Sequence, residues 1–95
     1  MPTAAEKRWM CQIVDLGCVV CRIQGRGYSP ANVHHLLSGG RRIGHESTIP
    51  LCHTHHANAP RDSGEVSRHP GKAAFGARYG TEARLLEITR SMVAE

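Results

Sequence analysis

Hydrophobic side chains recur at helical spacing near the start of the chain. Trp9, Ile13 and Leu16 follow one another at intervals of four and three positions, which is typical of one face of a helix. We therefore expect a helix over about residues 4–16, with Trp9 packed against the core.

Small and polar residues mark the limits of this first helix. Thr3 and Glu6 have the spacing of a capping box, and Gly17 can end a helix on its C-terminal side. Cys11 lies inside the helix, and we expect it to be a small buried hydrophobic residue.

Two short apolar stretches in the middle of the chain have the character of strands. Residues 33–37 and 48–51 are expected to form them, and Pro50 is typical of an edge strand because proline has no N–H to donate. The glycine-containing segment 38–47 between them is predicted to be a polar loop.

The second half of the chain carries signals for three helices. One could begin near Cys52 and end by Pro60, and another is expected over residues 72–79, ended by Gly80. Thr81 can cap the last helix. The apolar face of that last helix consists of Leu85, Ile88 and Met92.

Length and composition limit how the fold can be stabilised. The 95 residues, of which 4% are aromatic, are expected to make a single domain, 1–95, with a small core. We divide it into an N-terminal helix (1–17), a core (18–80) and a C-terminal helix (81–95). A chain this small often needs a metal ion or another added constraint for a unique structure.

The excess of basic residues is informative about binding partners and not about the fold. Lys and Arg number 12 against 8 acidic residues, and ten of the 12 are Arg, whose planar guanidinium suits phosphate. The sequence has neither an apolar run of membrane-spanning length nor an apolar N-terminal signal region, so we expect a cytoplasmic protein without membrane contact. In a reducing compartment its cysteines are expected to be metal ligands or free thiols.

Two cysteines at C-x-x-C spacing can bind one tetrahedral metal ion. Cys18 and Cys21 have this spacing, and we expect them on a tight turn. A structural zinc site needs four ligands, and residues three apart on a helix share a face, so Cys52 and His55 can complete the set. His56 is the rival ligand, because it lies four positions after Cys52.

The histidines are concentrated in the same part of the chain. The pair His53 and His56 is also three positions apart, and spacing alone leaves these alternatives open. Two adjacent helical residues point about 100° apart. If His55 holds the structural zinc, His56 therefore points elsewhere, towards the preceding strands with His34 and His35. This arrangement predicts two distinct metal centres.

The order of these motifs resembles the core of HNH (ββα-metal, His-Me finger) endonucleases: "HH", a polar glycine-containing loop, "IPLC", then x-x-"HH", with the flanking C-x-x-C. More narrowly, "VHHLLSGGRR…IPLCHTHH…HPGKAAFGARYG" is similar to the phage recombination-enhancement (Ref) type of nuclease. The resemblance covers about residues 18–80. It implies an α+β fold, in which flanking N- and C-terminal helices surround a small zinc-stabilised ββα-metal core.

The resemblance also implies roles for individual histidines. His34 would bind a catalytic divalent ion (Mg²⁺, Mn²⁺ or Zn²⁺), His35 would be the general base that activates water, and His56 would be a second metal ligand. The family usually supplies a third ligand one turn later, where this chain has Pro60. His69 is our candidate for that third ligand.

The middle Asn of the HNH motif is missing from this sequence, so another group must orient the base. The candidates are His45, Glu46 and Ser47. A strictly extended strand would point His34 and His35 to opposite faces, and we therefore expect a twist or bulge that lets both flank one phosphate. The candidate DNA phosphate contacts are Arg41, Arg42, Arg61, Arg68 and Lys72.

The main functional hypothesis is a metal-dependent HNH endonuclease that hydrolyses DNA in phage or prophage recombination or DNA processing. The resemblance suggests DNA and a recombinase filament as partners, in a bacterial host cell. The alternative is a non-catalytic, zinc-stabilised DNA-binding module, in which His34, His35 and His56 are incidental. A protein-interaction domain with incidental basic charge is a third possibility, which salt-dependent DNA binding would exclude.

Overall fold

The computed structural model describes residues 2–38, 40–57, 59, 63–69 and 71–94. Within these ranges the chain alternates helices with short strands. The helices are α1 (Ala4–Leu16), α2 (Val19–Ile23), α3 (His53–His56), α4 (Lys72–Tyr79) and α5 (Glu82–Ala94). The strands are β1 (Asn32–His35), β2 (Leu37–Ser38), β3 (Arg41–Arg42) and β4 (Thr48–Leu51). The fold is thus a small mixture of helices and strands, as expected.

Local signals fixed the limits of α1 correctly. Its capping box is formed, because Thr3 N–H donates to Glu6 Oε1 (2.7 Å) and Glu6 N–H donates to Thr3 Oγ1 (3.1 Å). Gly17 ends the helix with φ of 85°, and a Cβ there would lie 2.8 Å from the carbonyl oxygen of Ser29. Only glycine avoids both the strained conformation and this clash.

Cys11 is exposed, so the prediction that it is buried is wrong. The inward face of α1 carries Ile13, which is fully buried, and Trp9, which packs against the core. Cys11 is two positions from each of them, about 200° around the helix, and therefore faces solvent.

The two predicted strands pair with each other. β1 and β4 are antiparallel, and their partners run without interruption from Asn32 opposite Leu51 to His35 opposite Thr48. The expected bulge is not found within these four pairs. His34 and His35 therefore point to opposite faces of the ribbon.

The segment after β1 corrects two predictions. Residues 33–37 do not form one strand, because β1 ends at His35 and β2 begins at Leu37. The predicted loop 38–47 contains the short β2–β3 ladder, in which Leu37 pairs with Arg42. Leu36 connects the ladders, since its N–H donates to Ser47 O (2.9 Å) and its carbonyl accepts from Ile43 N–H (3.1 Å).

The core lies where the β1–β4 ribbon meets α1, α2 and α5. Its fully buried side chains include Val19, Val20, Ile49, Leu51 and Leu85. Ile88 and Met92 of α5 pack against this cluster, as the helical spacing predicted. None of the helices in the described ranges is both long and apolar enough to cross a lipid bilayer.

Some of the remaining helices have the limits predicted from the sequence, and others differ from them. α4 has the predicted limits, and Thr81 caps α5, because its Oγ1 accepts a hydrogen bond from Arg84 N–H (3.2 Å). The predicted C-x-x-C turn is instead the start of α2. α3 is a single turn that ends at His56, earlier than predicted, and Pro60 lies outside the described residues.

Candidate active site

Three cysteines and one histidine form a buried cluster between α2 and α3. Cys18 precedes α2 and Cys21 lies within it, while Cys52 precedes α3 and His55 lies within it. Their ligand atoms all lie within 4.8 Å of one another. Of the two neighbouring histidines that compete for this position, the structure places His55 here and not His56. His53 is exposed and belongs to neither histidine-containing cluster of the described chain.

The distances in this cluster fit a tetrahedral zinc ion. Zn–S bonds of about 2.3 Å and Zn–N bonds of about 2.0–2.1 Å imply S···S separations of about 3.8 Å and S···N separations of about 3.6 Å. The Sγ atoms of Cys21 and Cys52 are 3.8 Å apart. His55 Nδ1 is 3.6 Å from the Sγ atoms of Cys18 and Cys21, and 3.1 Å from that of Cys52. This Cys3His group could therefore hold zinc.

The electrostatics of the cluster also fit a cation. Burial raises the pKa of the Cys18 thiol to about 12, and burial likewise raises the pKa of Cys21. Thiolates in such a place need a nearby positive charge, which a bound metal ion supplies.

A carboxylate that sequence reasoning missed supports the histidine of this cluster. Glu65 Oε1 lies 2.8 Å from His55 Nε2, and the same oxygen accepts from Gln24 Nε2 (3.2 Å) and pairs with Arg26 (3.3 Å). The hydrogen bond from His55 is the main reason that the pKa of Glu65 is lowered. With the Nε2 proton held there, Nδ1 is free to bind a metal.

A second cluster consists of three histidines from separate elements. His34 comes from β1, His56 from the end of α3, and His69 from the segment before α4. Their ring centroids are 5.1–5.4 Å apart, and their ligand atoms lie within 4.8 Å of one another. His34 is buried, His56 is partly buried and His69 is exposed, so the cluster opens to solvent on one side.

Backbone hydrogen bonds bring His69 to the other two histidines. Arg68 N–H donates to His55 O (2.8 Å), and His69 N–H donates to His56 O (3.0 Å). These carbonyls are among the last of α3, which lack partners within the helix. The 63–69 segment therefore attaches to the end of α3 and places His69 beside His56.

His34 has the burial and the charge state of a possible metal ligand. Among the described residues its Nε2 is buried without a hydrogen-bond partner. Burial, followed by the charges of His56 and Arg68, lowers its pKa to about 3. The ring is thus neutral near pH 7, and one of its two nitrogens has a lone pair that can bind a metal ion. An orphaned buried nitrogen is costly, and a metal ion at this position would remove the cost.

Glu82, at the start of α5, is a second residue that sequence reasoning missed at the site. Its Oε1 is 3.7 Å from His34 Nε2, and it accepts a hydrogen bond from Arg68 Nε. Because His34 is neutral, the contact with His34 is not an ion pair. In the sequence, Glu82 is recognisable only as a favourable acidic residue at a helix N-terminus.

His35 faces away from this cluster and contacts His45. His35 Nε2 and His45 Nδ1 are 3.1 Å apart. Of the three candidates for the orienting group, the structure thus brings the His45 ring to His35. Glu46 is exposed, and Ser47 is engaged through its backbone with Gly44 and Leu36.

The candidate phosphate contacts differ in accessibility. Arg41, Arg42 and Lys72 are exposed, whereas Arg68 is buried against Glu82. Arg61 lies outside the described residues. Arg42 is close to His35, because its charge contributes, after burial, to the lowered pKa of His35.

Comparison with known proteins gives one family. A sequence model of the family described as "recombination enhancement, RecA-dependent nuclease" matches residues 2–94, a range that includes both clusters and the flanking helices. No curated protein matches this sequence.

Proposed function

The chain belongs to the family of recombination-enhancement, RecA-dependent nucleases, and we propose that it is a metal-dependent HNH endonuclease that hydrolyses DNA phosphodiester bonds. The observation that carries this proposal is the buried, unpartnered Nε2 of His34, on a neutral ring that lies beside the rings of His56 and His69. A protein that only binds DNA has no need of such a costly buried atom.

The histidine cluster provides the proposed catalytic metal site. His34, His56 and His69 would hold a divalent ion, Mg²⁺, Mn²⁺ or Zn²⁺, on the open side of the cluster. A divalent ion supplies charge neutralisation for the scissile phosphate and for the leaving oxygen. Three protein ligands leave coordination positions free for substrate, in contrast to the closed Cys3His group.

His35 is the proposed general base. Its side chain leaves the β1–β4 ribbon on the face opposite His34, but its charge still contributes to the lowered pKa of His34, and we propose that both rings flank one phosphate. If Nε2 of His35 donates a proton to Nδ1 of His45, Nδ1 of His35 is unprotonated and can accept a proton from the attacking water. The lowered pKa of His35 keeps it neutral near pH 7. His45 then performs the orienting role of the missing HNH Asn.

The Cys3His group is the proposed structural zinc site. Cys18, Cys21, Cys52 and His55 would fill all four positions of a tetrahedral ion, so they leave no place for substrate. Zinc binding would contribute directly to folding free energy, which suits a chain with a small core.

Basic residues on the surface provide the proposed contacts to DNA. The formal net charge is +4. Arg41, Arg42 and Lys72 are exposed, and Arg42 is close enough to His35 for its charge to lower the pKa of that histidine. Arg61 belongs to the same proposal, whereas Arg68 would have to leave its buried pair with Glu82 to reach a phosphate. The family description supports a recombinase filament as the partner, and we place the protein in the bacterial cytoplasm where such filaments form.

A plasmid-nicking assay tests the proposal. Wild type, His35→Ala and His53→Ala would be compared with Mg²⁺ or Mn²⁺, in the presence and absence of a RecA filament on the DNA. We expect cutting by wild type and by His53→Ala, whose exposed imidazole serves as the matched control, and loss of cutting by His35→Ala. Equal cutting by all three would remove His35 from the mechanism. Salt-dependent DNA binding without cutting would favour the non-catalytic zinc module.

A further inference from the structure

Three hydrogen bonds connect helix α1 to the proposed general base. Trp9 Nε1–H donates to Thr48 Oγ1 (2.9 Å), and Thr48 Oγ1–H donates to His45 O (2.9 Å). The ring of the same His45 then meets His35 Nε2 at 3.1 Å. The connection runs from the N-terminal helix, through the first residue of β4, to the turn that precedes β4.

We propose that Trp9 and Thr48 are positioning residues that hold His45, and through it His35, in the orientation that catalysis requires. This inference rests on the proposed function of His35. It gives α1, which lies outside the ββα core, a role in the reaction in addition to packing.

The direction of the hydrogen bonds is fixed by their chemistry. An indole N–H can only donate, and a hydroxyl has a single proton. Because Thr48 accepts from Trp9, its proton is free to go to the carbonyl of His45, and both capacities of the hydroxyl are used. Thr48 is completely buried (0% exposed), and a fully satisfied buried network of this kind has one preferred geometry.

The position of Thr48 in the β1–β4 ladder links its hydrogen bonds to the orientation of His35. Thr48 is the partner of His35 across the β1–β4 ladder, so the hydroxyl and the base lie on directly opposed backbone positions. His45 is outside the strands, in the turn before β4, where backbone is generally more mobile. The hydrogen bond from Thr48 fixes the carbonyl of His45 relative to the strand that carries its partner.

A second residue of α1 also faces this turn. Glu6 lies one turn before Trp9, and its pKa is lowered mainly by its hydrogen bonds with Thr3 and in smaller part by the charge of His45. Helix α1 thus reaches His45 through the hydrogen bond from Trp9 to Thr48, and Glu6 is within electrostatic range of the His45 ring.

Conservative variants separate positioning from packing. Trp9→Phe keeps an aromatic ring but removes the N–H, Thr48→Val keeps the shape but removes the hydroxyl, and Thr48→Ser keeps the hydroxyl. We expect Trp9→Phe and Thr48→Val to lower kcat for plasmid cleavage about 3- to 10-fold, the factor that one positioning hydrogen bond provides. KM and zinc content should stay unchanged, and Thr48→Ser should keep wild-type kcat.

The His45→Ala background tests whether the effect passes through the His45 ring. We expect Trp9→Phe to cause no further loss of kcat there, because the ring that transmits it is gone. A loss of equal size in both backgrounds would overturn the proposal, and so would an unchanged kcat for both Trp9→Phe and Thr48→Val in the presence of His45.

Ring ¹⁵N NMR signals of His35 and His45 provide a measurement that is independent of activity. We expect one defined tautomer for each ring in wild type and Thr48→Ser, and averaged signals in Trp9→Phe and Thr48→Val. Identical signals in all four proteins would overturn the positioning role. If wild type does not cut DNA, the proposed function fails, while the NMR comparison still decides whether Trp9 and Thr48 hold the two rings.

Discussion

The carboxylate of Glu65 lies 2.8 Å from Nε2 of His55, on the side of the ring opposite the three cysteines. This contact joins the sulfur-rich cluster to the segment 63–69, which also delivers His69 to the second cluster. The two candidate metal centres thus share one supporting segment.

Glu65→Gln should weaken zinc binding without removing a ligand. The carboxylate holds the Nε2 proton of His55 and raises the basicity of Nδ1, and loss of such a partner typically costs about 10- to 100-fold in metal affinity. Competition with a chromophoric chelator measures this change. Glu87→Gln is the control, because Glu87 is exposed and 68% of its side-chain surface is accessible; an equal loss in both variants would contradict the role of Glu65.

Cys52→Ala should abolish zinc binding and the cooperative unfolding transition. Removing one thiolate leaves three ligands in a site that needs four, and the folding free energy contributed by the ion is lost with it. Thermal unfolding followed by circular dichroism, together with metal analysis, checks this. Cys11→Ala is the matched control, since Cys11 is exposed and should leave both the melting curve and the zinc content unchanged.

The sequence predicted the parts of the structure that local signals control. The capping box of Thr3 and Glu6 and the terminal Gly17 set the limits of α1. The spacing of Cys52 and His55 predicted a histidine beside the cysteines, although spacing alone left His56 as the rival ligand. The prediction for Cys11 was wrong because residue type alone indicates that a cysteine is buried. Its angular position on the helix relative to Trp9 instead places it on the solvent-facing side.

The sequence could not show how distant segments meet. His69 approaches His56 because backbone N–H groups of the 63–69 segment bond to the end of α3, and backbone bonds leave no pattern in side-chain types. Glu65 lies in the same segment, which has no periodicity. Sequence reasoning named His45 only as one of three candidates, since a choice among neighbours in a turn depends on a tertiary contact with His35.

Breaking the Arg68–Glu82 pair should destabilise the protein strongly. The side chains of Arg68 and Glu82 are only 7% and 11% exposed, so Glu82→Ala leaves a buried guanidinium without a counter-charge, at a cost of about 3 kcal/mol. Urea unfolding with zinc present measures it. The exposed pair Arg84–Glu87 is the control, and Glu87→Ala should lie close to wild type because exposed ion pairs contribute little.

A double variant separates pairing from the other contacts of Glu82. Replacing both members, as in Arg68→Met with Glu82→Leu, should restore part of the lost stability, because neither buried charge then remains unpaired. If Glu82→Ala and the double variant are equally destabilised, the loss comes from Glu82 near His34 and not from the orphaned Arg68.

The pH dependence of cleavage should report the environment of His35. A general base acts in its neutral form, so the rate falls as pH drops through its pKa. Burial, followed by the charges of Arg42 and His45, lowers the pKa of His35 from its ordinary 6.5. The acidic limb of the kcat profile should therefore lie below pH 6.5, and Arg42→Ala should move it to higher pH because a nearby positive charge is removed. Arg41→Ala is the matched control, because Arg41 precedes Arg42 on β3, its side chain points to the opposite face of the β2–β3 ladder, and its charge is not among the causes of the lowered pKa of His35. Arg41→Ala can raise KM through loss of a phosphate contact, but its acidic limb should coincide with that of wild type. A limb that moves equally in both variants, or in neither, would show that Arg42 does not act on the base.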